Sequence, residues 1–179
     1  MTVIMTGVAA TTVASNPFFV RKYKTPHETL PFDKVKIEHF LPAFEKGFAQ
    51  QEQEVKKITS NPEKPSFENT IVALENSGNL LHDVTAVFYV LNGSENNDEL
   101  MELASRITVL QTTHENKINL DEKLFERVKA VYEMRTSLTL TIEQAKLLEN
   151  TYDGFVRSGA SLKGADREKY KELSLKLSS

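Results

Sequence analysis

A histidine followed directly by a glutamate, His114 and Glu115, is a pair of side chains in this sequence that could do chemistry. In the H-E-x-x-H signature of zinc peptidases, two histidines four residues apart on one helix bind the metal, and the glutamate polarises the attacking water. Here the position of the second histidine holds Ile118. The pattern therefore supplies one metal ligand of the signature, and its meaning depends on the helix that carries it.

The helix that carries His114 is predicted to begin after Asn97, a favourable N-cap residue, and to reach about Ile118. His114 falls on the stripe of its apolar residues, which are Leu100, Leu103, Ile107, Leu110 and Ile118. In a helix, Glu115 points about 100° away from His114, toward the polar face. We therefore predict that His114 is a buried, hydrogen-bonded histidine whose loss lowers stability and leaves metal content unchanged.

The other polar residues show no spacing that is typical of a catalytic or metal site. No two of the four histidines are four residues apart, and the remaining three are His27, His39 and His82. A metal site would therefore have to be assembled across helices. Pairs of carboxylates fall on polar faces and indicate solvation, as for Glu52 with Glu54 and Glu99 with Glu102. With no glycine-rich phosphate loop and no G-x-S-x-G elbow, we assign no catalytic, cofactor-binding or metal-binding residue to this chain.

Length and composition limit the class of protein. The 179 residues, 40% of them apolar, suffice for one domain with a hydrophobic core. The net charge is −3, and the 22 basic residues form no stripe or cluster suited to nucleic acid or to a membrane surface. The absence of cysteine excludes disulfides, thiolate ligands and thiol nucleophiles. Seven glycines and six prolines are few, which favours helices over a turn-rich β fold.

From Asp33 onward the apolar period of about 3.6 predicts an all-α bundle of about five to six antiparallel amphipathic helices. Because proline suits the first turn of a helix, the first helix is expected to start at Pro42, after a turn formed by "IEHF". The second is expected to begin after the N-cap Ser66 and to continue past Gly78 to about Leu91. Its unbroken period favours close packing at a buried Gly78 over a break in the helix.

Three more helices complete the predicted bundle. One runs from about Asp121 to Arg135, and the next begins at a capping box and stops at Gly159. The capping box consists of Thr141 and Gln144. The last starts near Gly164 and is still amphipathic at Ser179, so its apolar face is expected to pack against chain beyond that residue.

Residues 1–15 differ in composition from the rest of the chain. Val3 to Ala14 are small, apolar and uncharged, like the apolar region of a secretory signal peptide whose basic start is missing. The alternative is a disordered tail. The first interpretation makes the protein periplasmic and the second cytoplasmic, and in both we expect a helical domain of residues 16–179 that is truncated at its C-terminal end.

Five sequence blocks resemble a known family in one consistent order. They are "NPFF" (16–19), "EHFLPAFEKG" (38–47), "PSFENTIVALENSG" (65–78), "NDELMEL" (97–103) and "FVRSGASL" (155–162). They resemble the N-terminal helical region of the bacterial dipeptidyl carboxypeptidases (peptidyl-dipeptidases), in the thimet-oligopeptidase and oligopeptidase A family of zinc metallopeptidases. At the start of the second predicted helix, Asn69 and Thr70 are expected to make helix-end hydrogen bonds and not substrate contacts.

The resemblance implies that the chemistry lies elsewhere. Family members run to several hundred residues, and their H-E-x-x-H helix and third glutamate ligand lie in the C-terminal half, so no zinc-binding residue is carried onto this chain. The full-length parent would bind zinc and release C-terminal dipeptides from short peptides. This chain would be inactive alone and would form one wall of the substrate cleft, with the catalytic half as its partner. His114 and Glu115 then match the signature by coincidence.

Two other function classes remain open from the sequence. One is a freestanding helical bundle that binds a partner helix or peptide through the apolar face of its last helix, and its oligomeric state would distinguish it. The other is a small helical enzyme with a metal site assembled across helices, which zinc bound after purification would indicate.

Overall fold

The computed structural model describes residues 16–20, 23–94 and 97–178, which form helices and turns and contain no strand. The predicted all-α fold class is confirmed. The six long helices are α1 (Ile37–Thr59), α2 (Asn79–Ser94), α3 (Asp98–Asn119), α4 (Glu122–Glu133), α5 (Ile142–Arg157) and α6 (Gly164–Ser178). Residues 1–15, for which the sequence predicts a signal-peptide remnant or a disordered tail, lie outside the described residues.

The described residues form two compact units. Unit 1 comprises described residues of Met1–Gln50 and Gly78–Ile107, and unit 2 those of Gln51–Ser77 and Thr108–Ser179. Helices α1 and α3 therefore contribute residues to both units. The core of unit 1 consists of Phe18, Phe40, Ala43, Phe44, Val84, Phe88, Leu100, Leu103 and Ile107. The core of unit 2 consists of Val55, Ile58, Phe67, Ile71, Leu124, Val128, Val131, Leu148, Phe155 and Ala160.

Helix α1 begins at Ile37 and includes Pro42, so the prediction that it starts at Pro42 is wrong. An interior proline costs about 3 kcal/mol because it removes a backbone hydrogen bond and crowds the preceding turn. The phenylalanines on either side of it, Phe40 and Phe44, are buried against Phe88, with ring centroids 5.0 and 5.6 Å away. Burying a large apolar side chain contributes about 1.5–3 kcal/mol, so these two residues together offset the cost of the proline.

The helix predicted to run unbroken past Gly78 is in fact divided, and that prediction is wrong. A π-helical segment, Phe67–Val72, continues into the α-helical turn Ala73–Glu75, and α2 begins only at Asn79. Gly78 is buried as predicted, but its φ of +74° lies in the left-handed region, which glycine enters without steric penalty. The apolar stripe continues on both sides of this break because Phe67 belongs to the core of unit 2 and Phe88 to that of unit 1.

Close packing at a glycine occurs at Gly47, in α1. A Cβ atom added there would lie 3.1 Å from both Cα and Cβ of Leu81, in α2. Such a contact is tighter than ordinary van der Waals packing and involves backbone, which cannot rotate away. Glycine at this position therefore lets α1 and α2 approach each other within unit 1.

The predicted helix caps are confirmed. Ser66 and Asn69 form a capping box at the π-helical segment, and Thr141 and Gln144 form one at α5. The side chain of Asn97 accepts hydrogen bonds from the second and third residues of α3. Gly159, with φ of +78°, ends α5 in the left-handed conformation, and the N–H of the next residue bonds back to the carbonyl of Phe155.

Candidate functional site

His114 lies in α3 within unit 2, and it is buried and hydrogen-bonded, as predicted. Its side chain is 5% exposed, and Nε2 lies 2.7 Å from Oε1 of Gln51, in α1. Because an amide oxygen only accepts hydrogen bonds, Nε2 must carry the proton in this contact. A protonated Nε2 has no free lone pair, so it cannot bind a metal ion in this arrangement.

A second set of contacts joins His114 to two charged residues of opposite sign. Its Nδ1 atom lies 3.8 Å from Oε1 of Glu52, whose Oε2 lies 2.6 Å from Nζ of Lys117. Burial lowers the pKa of His114, and the Glu52 carboxylate acts in the opposite direction. Since Lys117 already neutralises Glu52, the burial effect prevails and the imidazole is neutral at pH 7.

The partners of a catalytic His-Glu pair are not assembled around His114. Glu115 is exposed on the other side of the helix, and Ile118 packs against the core of unit 2. Within residues 16–20, 23–94 and 97–178, no group of three or more histidine, cysteine, aspartate or glutamate residues could hold a metal ion. The polar atoms of His114 and Lys117 contact Gln51 and Glu52 and so join α3 to α1.

His39 has an equivalent structural role in unit 1. It is 5% exposed, and its Nδ1 accepts a hydrogen bond of 3.1 Å from the backbone N–H of Lys36, at the start of α1. The side chain of Asn16 donates to the His39 carbonyl at 2.8 Å. Burial lowers the pKa of His39, which keeps Nδ1 unprotonated and able to accept.

Arg127 is a buried polar residue whose burial was not predicted from the sequence. It lies in α4 and is 9% exposed. Its Nη1 donates to the carbonyl oxygens of Asn61 and Glu63, at 3.1 and 3.2 Å, and its Nη2 donates to Oδ1 of Asn69, at 3.0 Å. The guanidinium therefore fixes the loop before Ser66 onto α4. A signal was present, because Arg127 sits three residues after Leu124, on the buried stripe of α4.

Asn69 and Thr70 make the helix-end hydrogen bonds that the sequence predicted. Oδ1 of Asn69 accepts from the backbone N–H of Ser66 and from Oγ1 of Thr70, both at 2.9 Å, in addition to Arg127. The Asn69 side chain also donates to the Lys64 carbonyl, at 3.0 Å. Its polar atoms are thus engaged within unit 2.

A surface groove of about 540 Å³ lies beside the turn between α4 and α5, and we call it the α4–α5 groove. One side is aromatic and cationic: the Tyr132 ring stacks on Tyr152 with centroids 3.9 Å apart, and the guanidinium of Arg135 lies 4.2 Å over the Tyr132 ring. The rest of the lining is mainly aliphatic, from Leu138, Leu140, Ile142 and Leu148. A volume of this size suits a short peptide segment or a small molecule.

The charges at the α4–α5 groove are unequally paired. Nζ of Lys146 lies 2.7 Å from a carboxylate oxygen of Glu149, and this lysine lowers the pKa of Glu149. Arg135 donates from Nη1 to the carbonyl of Tyr132, at 3.0 Å. In the described part of the chain, no carboxylate lies within ion-pair distance of Arg135.

None of the helices in the described ranges is long and apolar enough to cross a membrane.

Comparison with known proteins gives several curated relatives, while no family model matches. The chain is 41% identical over 161 residues to the dipeptidyl carboxypeptidase of Escherichia coli K12, a match that covers 88% of this chain and 23% of that protein. It is 38% identical over 148 residues to the dipeptidyl carboxypeptidase of Salmonella typhimurium LT2, covering 83% and 22%. To oligopeptidase A of Escherichia coli K12 it is 25% identical over 154 residues. The chain therefore spans less than a quarter of the length of these relatives.

Proposed function

Because this chain is a homologue of the N-terminal region of the bacterial dipeptidyl carboxypeptidases, as its sequence blocks predicted, we propose that it is the non-catalytic N-terminal helical domain of such a peptidase. The observation that carries the proposal is the 41% identity over 161 residues, within a relative of which the match covers 23%. In this proposal the parent enzyme releases C-terminal dipeptides from short peptides, and its zinc and catalytic residues belong to the part outside this chain.

The role proposed for the helices is to form one wall of the substrate cleft. A rigid helical wall would exclude folded proteins and admit short, unstructured peptides. It would also remove bulk water from the reacting centre, where electrostatic interactions are then stronger. The catalytic half of the same enzyme is the partner in this proposal.

The use made of the polar side chains supports a non-catalytic role. His114, the residue in the sequence most like a zinc ligand, is neutral and bonded to Gln51. Arg127 is bonded to backbone and amide oxygens within unit 2. These groups stabilise the fold through contacts within unit 2.

A chimaeric enzyme tests the proposal. The matched N-terminal segment of the Escherichia coli dipeptidyl carboxypeptidase is replaced by the matching residues of this chain, and release of dipeptides from a short peptide is measured beside the parent enzyme. We expect the chimaera to be active and a variant lacking the segment to be inactive. A chimaera that folds, as judged by circular dichroism and gel filtration, but releases no dipeptide would contradict the proposal.

The isolated chain provides the complementary measurement. With added zinc it should release no dipeptides. Release that disappears in a His114→Ala variant that remains folded would show that the active site lies in this chain.

The alternative function is a freestanding helical bundle that binds a partner helix or peptide. The observation in its favour is the exposure of apolar side chains on α6, where Leu173 is 49% and Leu177 90% exposed. Sedimentation of the 179-residue chain tests this alternative, because an interaction module with an unmatched apolar face should self-associate.

A further inference from the structure

We propose that the α4–α5 groove is a peptide-binding site, which takes the free carboxyl terminus of a peptide ending in an aliphatic residue. The carboxylate would bind Arg135, and the last side chain would lie on the aliphatic lining at Ile142. This site lies entirely within unit 2.

Arg135 is held in a geometry that favours a carboxylate. Its guanidinium lies over the Tyr132 ring, and Nη1 is fixed by the Tyr132 carbonyl. Tyr132 is in turn fixed by its stack on Tyr152, with ring planes 5° apart. A guanidinium presents five N–H donors in a planar fork that matches a carboxylate, so one bond to a carbonyl leaves donors for a ligand. Because ring and carbonyl already orient the side chain, less conformational entropy is lost on binding.

The charge of the groove is complementary to one carboxylate. Its lining contains two cations, Arg135 and Lys146, and one anion, Glu149, which leaves a net charge of +1. Glu149 is paired directly with Lys146, and Arg135 contributes least to lowering the pKa of Glu149, so most of the excess charge resides on Arg135. A ligand with a single carboxylate would bring the net charge of the site to zero.

The first turn of α5 does not compete for the carboxylate. Two of its helix-terminal N–H groups are engaged by the chain itself: Oγ1 of Thr141 accepts from the N–H of Gln144, and hydrogen bonds to its own backbone and to Thr141 lower the pKa of Glu143. An incoming anion is therefore directed to the guanidinium and not to the helix end.

The aliphatic lining accounts for the rest of the ligand. Ile142 is 86% exposed at the edge of the groove, beside Leu138 and Leu140. Covering such a side chain with an aliphatic residue removes apolar surface from water, which is favourable. Together, a fixed guanidinium and an exposed aliphatic surface match a peptide that ends in leucine or a similar residue.

A second groove nearby does not offer the same chemistry. It has a volume of about 480 Å³ and includes Arg167. That guanidinium already contacts the carboxylate of Glu122 and donates to the carbonyl of Leu120. Its charge is thus compensated within the chain, which is why we place the peptide carboxylate at Arg135.

The inference rests on the proposed function only for the choice of a peptide as ligand. Binding is measured on the 179-residue chain without catalysis. If no binding is found, the proposed function is still tested by the chimaera. If the chimaera is inactive, the binding result is still valid.

The test compares two peptides that differ only at the carboxyl terminus. Acetyl-Ala-Ala-Leu and its C-terminal amide are titrated into the chain, and dissociation constants are taken from the methyl NMR signals of Ile142 and Leu138. An exposed ion pair changes a dissociation constant by up to about fivefold. We expect the amide to bind about fivefold more weakly than the acid.

Matched variants then separate the charge from the apolar surface. Arg135→Gln should weaken binding of the acid to the level of the amide and leave the amide unchanged, whereas Arg157→Gln, an exposed arginine that does not line the groove, should change neither. Ile142→Ser, followed through the methyl signals of Leu138 alone, should weaken both peptides equally. Leu177→Ser, at an equally exposed leucine of α6, should weaken neither.

Three results would overturn the proposal. They are equal affinity for the acid and the amide, equal weakening of both peptides by Arg135→Gln, and methyl shifts confined to residues outside the groove. Far-ultraviolet circular dichroism of each variant confirms that the helices are intact. Because Arg135 and Ile142 are both exposed, these substitutions should leave the fold unchanged.

Discussion

The Nε2 atom of His114 and the Oε1 atom of Gln51 lie 2.7 Å apart, and this contact joins α3 to α1 within unit 2. Both positions are polar interruptions of apolar stripes. His114→Ala should lower the free energy of unfolding by about 2 kcal/mol, because it removes a buried side chain and leaves the half-buried Gln51 amide without this partner. Urea unfolding measures the loss. Zinc analysis before and after dialysis should give the same zinc content for the variant and for the unsubstituted chain. A variant that loses bound zinc at unchanged stability would refute the structural role.

Stability should also depend on pH through this histidine. Burial holds the pKa of His114 below its ordinary value of 6.5, so the unfolded chain takes up a proton at a higher pH than the folded chain does. The contribution to stability is complete above about pH 6.5 and is lost as the pH falls below it through the folded-state pKa. His39 acts in the same direction in unit 1. Between pH 7.5 and 5.5, the free energy of unfolding measured in urea should fall less in His114→Gln than in the unsubstituted chain. An equal fall in both would contradict this role of His114.

The three hydrogen bonds of Arg127 should make it one of the more sensitive positions in unit 2. Arg127→Met leaves the carbonyls of Asn61 and Glu63 without their donor, and we expect a loss of about 2–4 kcal/mol. Lys129→Met, an exposed change in the same helix, should leave the free energy of unfolding within about 0.5 kcal/mol of that of the unsubstituted chain. Arg127→Lys should be intermediate, because an ammonium cannot reach all of these oxygens as the planar fork does. Equal stabilities for Arg127→Met and Lys129→Met would show that the hydrogen bonds of Arg127 do not stabilise unit 2.

Two glycines near the end of α5 should respond to alanine with opposite signs. At Gly154 an added Cβ meets nothing within 4 Å, so Gly154→Ala should raise stability by up to about 1 kcal/mol, as expected for a helix interior. At Gly159 the φ is +78° and a Cβ would lie 2.9 Å from Cδ1 of Leu162, so Gly159→Ala should lower stability by about 1–2 kcal/mol. Thermal unfolding of the two variants gives the comparison. Shifts of the same sign would be inconsistent with these backbone conformations.

The contact between Gly47 and Leu81 predicts a different cost in unit 1. Gly47→Ala forces apart two helix backbones and should destabilise by about 1–3 kcal/mol. Gly93→Ala in α2, where a Cβ would meet nothing within 4 Å, is the matched control and should not destabilise. Gly78→Ala is expected to destabilise through its positive φ, so it cannot report on helix packing. If Gly47→Ala matches the control in melting temperature, the two helices do not pack at this glycine.

Local signals in the sequence predicted most of the helix boundaries. Ser66, Asn97 and Thr141 were recognisable because an N-cap needs only its own side chain and the next three residues. Gly159 was recognisable for the same reason, since it follows the last apolar residue of its helix. Such features depend on chain geometry over a single turn and not on the tertiary fold.

The errors arose where distant packing decides. Pro42 predicts a helix start, but the burial of Phe40 and Phe44 against Phe88 keeps it inside α1. Gly78 reads as part of one continuous stripe, because periodicity alone does not show that the residues before and after it belong to two different cores.

The candidate site was predicted only in part. The burial of His114 follows from its place on an apolar stripe, whereas the identity of its partner Gln51, 63 residues earlier, depends on how α1 meets α3. The α4–α5 groove has no signature in the sequence, since its residues are brought together by the turn and by the stacking of Tyr132 on Tyr152.

The stacked pair of tyrosines also gives the protein an intrinsic chromophore. The chain has no tryptophan and five tyrosines, so its near-ultraviolet spectrum comes from tyrosine and phenylalanine alone. Two phenol rings 3.9 Å apart and nearly parallel are close enough for their electronic transitions to couple, which makes their dichroism sensitive to the contact between α4 and α5. A change in this signal during heating would therefore report the separation of these two helices, without any added label.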